Sequence, residues 1–90
     1  INMKDTKLLE ILKHADDVTA DAVWAILRYK NIGILRKVMC ICKVLNLQPE
    51  NVLQNLPRDE NGRYLDKPTR GMIHEALIQR QNEYSTKIEQ

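Results

Sequence analysis

The sequence predicts an all-α fold, a compact bundle of four to five helices with a loop or minor hairpin near residues 57–68. Two observations predict it. Apolar residues recur at three- and four-residue spacing in successive segments, and Pro, Gly, Asn and Asp fall between those segments. A third observation bounds the core: 43% of residues are hydrophobic and 29% charged, yet there is no Phe, so the interior is built from Leu, Ile, Val and Met. Ninety residues make one domain, 1–90, because a second core needs more chain. The chain opens on Ile1, which fits a piece of a longer protein or a processed product.

The first helix is expected over residues 4 to 15, where Leu8, Ile11, Leu12 and Ala15 share one face and Leu9 lies alongside. Asp16 and Asp17 break it. Thr19 offers an N-cap for a second helix from Ala20 to Tyr29, with Asp21 in its first turn and Ala22, Val23, Ile26 and Leu27 inward. Asn31 and Gly33 mark the next turn. A third helix, Ile34 to Asn46, is apolar round most of its circumference and belongs in the middle of the bundle. Pro49 opens a short fourth helix carrying Val52, Leu53 and Leu56, and Pro57 stops it. Asn61-Gly62 is a turn signal. A last helix, residues 69–87, starts at Pro68-Thr69, places Met72, Ile73, Ala76, Leu77 and Tyr84 on one side, and frays beyond Tyr84.

Net charge is only +2, but its distribution is uneven. Residues 1 to 21 hold Asp5, Glu10, Asp16, Asp17 and Asp21 against Lys4, Lys7 and Lys13. From Ala22 to Pro49 there is no acid, while Arg28, Lys30, Arg36, Lys37 and Lys43 all fall there. Such a segment is either a footprint for an anionic partner or a solvated basic face.

Nothing in the sequence spells out catalysis. His14 and His74 have no Cys or His at metal-ligand spacing, the three glycines form no phosphate cradle, and Asp16-Asp17 lacks a complementary acid or nucleophile. Cys40 and Cys42, two apart on a helix, point about 200° from each other and read as small core residues of a reducing, cytoplasmic setting. A non-enzymatic binding module without cofactor, metal or membrane span is therefore expected.

Val18 to Leu53 resembles the second half of the lambda-repressor-like (Cro-type) helix-turn-helix family. The residues that carry this are Val18-Thr19, Val23, Ile26, Arg28 and Lys30, then the run from Ile41 to Leu53. The resemblance implies a helix-turn-helix part over residues 6–56, DNA as partner, and a recognition helix from Ala20 to Tyr29. Arg28, Lys30 and Asn31 would then lie near phosphates, flanked by Arg36 and Lys37, with Lys43 completing the basic patch. Thr19, Ala22, Leu27 and Tyr29, followed by Gly33-Ile34-Leu35-Arg36-Lys37-Val38, are also similar to the helical lid of AAA+ ATPases. That likeness implies that Arg36 faces nucleotide phosphates. A third expectation is a protein-interaction or assembly domain. Trp24 lies beside the core stripe, so it either packs inward or serves an interface, and Met72, Ile73 and Leu77 are candidates for pairing with another protein or a second copy.

Overall fold

The chain folds as an all-α bundle of five helices, with no strand among the described residues. This computed structural model describes residues 3–89, and side chains over 7–83. The helices are α1 (Met3–Lys13), α2 (Asp17–Arg28), α3 (Ile34–Leu45), α4 (Pro49–Leu53) and α5 (Asp66–Glu89). α1 packs chiefly on α5 and also on α4, while α2 packs on α3. α3 further touches α4 and α5, so three helices pack on it, but not all round as its apolar content predicts: Leu35, Met39 and Val44 stay exposed.

One core joins the helices: Leu8 and Leu12 of α1, Ala20, Val23 and Leu27 of α2, Ile34, Val38, Ile41 and Cys42 of α3, Val52, Leu56, and Ile73, Ala76 and Leu77 of α5. Ile73 and Leu77, expected as interface residues, are thus fully inside. The helix bearing them closes the core of a short chain, so these two side chains are spent on packing. Met72 is half-buried.

Local chemistry explains where the helices begin and end. α2 starts one turn earlier than expected, because Asp16, not Thr19, is its N-cap: the Asp16 carboxylate accepts from the Thr19 N–H at 2.8 Å. That bond holds the Asp16 carboxyl below its ordinary value. α3 ends at Asn46, which takes the left-handed conformation (φ 58°). The Leu47 N–H then donates back to the Cys42 carbonyl at 2.8 Å and the Asn46 N–H to Lys43, a Schellman ending. The minor hairpin exists as a single antiparallel bridge, Arg58 to Tyr64, around a turn in which Asp59 accepts from the Asn61 and Arg63 N–H groups at 2.9 Å each. Gly62, at φ 82°, supplies the backbone conformation that turn requires. α5 begins at Asp66, three residues earlier than expected, and its backbone is helical to Glu89; the Tyr84 side chain lies outside those described.

One tertiary clamp has no local signature. Arg80 of α5 donates its Nε–H to the Ala15 carbonyl at 2.6 Å and pairs with Asp17, tying α5 to the turn between α1 and α2.

Candidate protein-interaction surface

The basic segment does not form one uniform patch. Lys37 is 8% exposed, and its Nζ donates to the Leu27 carbonyl at 2.7 Å. A lysine at that point closes an orphan carbonyl in the last turn of α2 and meets the negative end of its dipole. Lys37 therefore performs a structural task and is withdrawn from the exposed basic surface, its ammonium lying at the wall of an inner cleft. Arg28, Lys30, Asn31, Arg36 and Lys43 are exposed, and none of the four cations among them has a salt-bridge partner among the described residues.

Helical geometry divides those four cations into two groups. With about 100° per residue, Met39, Lys43, Arg36 and Cys40 occupy the middle of the outward face of α3, and Leu35 and Val44 its two edges. Leu35, Met39 and Val44 remain 42%, 46% and 42% exposed. Arg36, Met39, Cys40, Lys43, Leu47 and Pro49 line one concavity on that side. Arg28 and Lys30 instead border a cleft at the other end of the α2–α3 pair. Between the two lies a shallow apolar floor of Ala25, Ile26, Tyr29, Ile32 and Cys40; it shares Cys40 with the first concavity and Tyr29 and Ile32 with the second. The result is an apolar strip with cations at both ends.

The inward half of α3 was legible from apolar spacing. Its outward half was not: Leu35, Met39, Cys40 and Val44 read as core, yet α2, α4 and α5 cover only one side of the helix. The exposed face of α2, the helix expected to read DNA, carries Asp17, Val18, Asp21, Ala25 and Arg28. Asp17 is held by Arg80, Asp21 repels phosphate, and the apolar members offer no donors to base edges. Of the two placements weighed for Trp24, the structure shows partial packing inward. The residue is half-buried against the core, and its ring meets His74 edge-on at 5.1 Å, at the border of the cleft.

Among the described residues no group of three or more His, Cys, Asp or Glu is placed to hold a metal, and no helix is long and apolar enough to cross a membrane. No family model, no curated protein and no solved structure matches the chain.

Proposed function

We propose that this domain is a non-catalytic docking module that binds a partner protein through the outward face of α3. The observation that carries the reading is the composition of that face: three half-exposed aliphatic side chains, Leu35, Met39 and Val44, interleaved with Arg36 and Lys43. No carboxylate occurs between Ala22 and Pro49 to neutralise it. Apolar side chains left on a helix surface beside unpaired cations suit an amphipathic segment with leucine-type residues on one side and acids along its margins. Such a segment gains area from the strip and orientation from the charges. Burying the remaining exposed part of Met39, 46% of its surface, contributes about 1 kcal/mol.

A second reading, DNA binding, is favoured by the exposed, unpaired Arg28, Lys30, Arg36 and Lys43 and by the helix-turn-helix resemblance. The two readings separate in one fluorescence-anisotropy experiment with a labelled Leu/Glu amphipathic peptide and a labelled random-sequence duplex. The docking reading expects saturable peptide binding that Met39→Asp abolishes, and little duplex binding at low salt. Duplex binding that weakens with salt and with Arg36→Ala or Lys43→Ala, without peptide binding, replaces docking by DNA.

A further inference from the structure

The cleft at the other end of the α2–α3 pair has chemistry of its own. It measures about 740 Å³ and lies where α2, the turn after it, the start of α3 and the first turns of α5 converge. Four cationic residues line it, Arg28, Lys30, Lys37 and Arg70, against one carboxylate, Asp66. Asp66 is already engaged, because Arg70 of the same helix approaches it at 3.3 Å.

Lys37 is the informative member. It is more than nine-tenths buried, and no carboxylate among the described residues lies within ion-pairing distance. Its one hydrogen bond goes to a neutral carbonyl. That bond uses one of three ammonium N–H donors, so an anion in the adjoining cleft finds both a donor and the counter-charge that Lys37 lacks. The backbone points the same way. α3 opens into the cleft through Gly33 and Ile34, with no side-chain cap and no acid in its first turn, so the positive end of a 12-residue helix faces it unneutralised. The remaining walls are apolar or aromatic, from Trp24, Tyr29 and Ile32, with His74 set edge-on to Trp24.

From this arrangement we infer that the cleft is a binding site for a small organic phosphate, its anion held among Lys30, Lys37, Arg28 and the first amides of α3, and its apolar body laid against Trp24 and Ile32. The cleft adjoins the apolar strip through Tyr29 and Ile32, but its cations lie away from the outward face of α3, and its occupancy does not depend on the docking proposal.

Trp24 is the only tryptophan in the chain and stands at the wall of the cleft, so its fluorescence reports occupancy directly. The probe is phenyl phosphate, titrated at low salt into the whole domain, with inorganic phosphate and matched chloride in parallel. A saturable change in Trp24 emission is expected, tighter for phenyl phosphate than for inorganic phosphate and absent with chloride. Lys30→Gln and Arg28→Gln, both at exposed positions, should each weaken binding about fivefold, the effect of removing one partly exposed charge pair. Lys37→Met should abolish binding in a protein that circular dichroism shows to be folded; if that variant unfolds, the two exposed variants decide. The inference is overturned if millimolar phenyl phosphate leaves Trp24 emission unchanged, if chloride reproduces the change, or if both exposed variants bind as the parent does.

Discussion

Replacing Arg80 by Met removes the clamp between α5 and the α1–α2 turn while keeping the apolar stem that packs beneath it. Two bonds are lost. The Nε–H to the Ala15 carbonyl, 2.6 Å long, is a charge-assisted bond from a side chain only 14% exposed, worth about 1.5–3 kcal/mol. The pairing with Asp17, whose side chain is 68% exposed, adds no more than about 1 kcal/mol because water and salt screen it. The sum is a loss of about 1.5–4 kcal/mol, which lowers the melting temperature of a domain this size by roughly 6–30 °C. Urea denaturation followed by circular dichroism measures it. A double-mutant cycle with Asp17→Asn then divides the two bonds: the coupling energy should be a small part of the Arg80→Met effect, since most of that effect belongs to the carbonyl. An Arg80→Met protein within about 0.5 kcal/mol of the parent, an ordinary surface change, refutes the reasoning.

Three further outcomes are expected. Thr69 is fully buried at the start of α5 and its Oγ1 has no hydrogen-bond partner among the described residues, so Thr69→Val, which keeps the shape, should stabilise the fold by about 1 kcal/mol in the same denaturation assay; a loss instead shows that the hydroxyl is satisfied. Asp16→Ala should destabilise the protein at neutral pH. Because the folded-state pKa of Asp16 lies below its ordinary value of 3.8, that contribution is whole above 3.8 and drains away as the pH falls through the depressed value, so parent and variant should converge in acid. A gap that stays constant with pH contradicts the cap. Cys40 is exposed and Cys42 buried, with burial foremost, and Glu50 secondarily, pushing the Cys42 thiol up. A thiol reagent should therefore label Cys40 rapidly and Cys42 only on unfolding, and rapid labelling of both refutes the packing of α3.

The parts of this structure that local chemistry dictates were readable in the residues. Leu8 and Leu12, Val23 and Leu27, and Ile73 and Leu77 announce their helices by spacing, and Pro49, Asn61-Gly62 and Asn46 place the breaks. The start of α2 was misread by a turn because Asp16 and Thr19 are both good caps, and only the geometry shows which carboxylate or hydroxyl receives the N–H. What spacing cannot show is which side of an all-round apolar helix is left uncovered. That depends on how many neighbours reach it, and three helices cover one side of α3. Lys37 and Arg80 were hidden for a related reason. Their partners, Leu27 and Ala15, are backbone carbonyls 10 and 65 residues away, and a carbonyl has no signature in sequence. Ile73 and Leu77 looked spare until the core they complete was visible.

The outward face of α3 as a docking surface is most directly tested by two-dimensional ¹H–¹⁵N correlation spectra of the labelled domain during titration with the Leu/Glu amphipathic peptide. Amide shifts should concentrate on Leu35, Arg36, Met39, Cys40, Lys43 and Val44 and leave Glu75 and Gln79, exposed on α5, unmoved. Shifts centred on α5, or spread evenly over the domain, contradict the account.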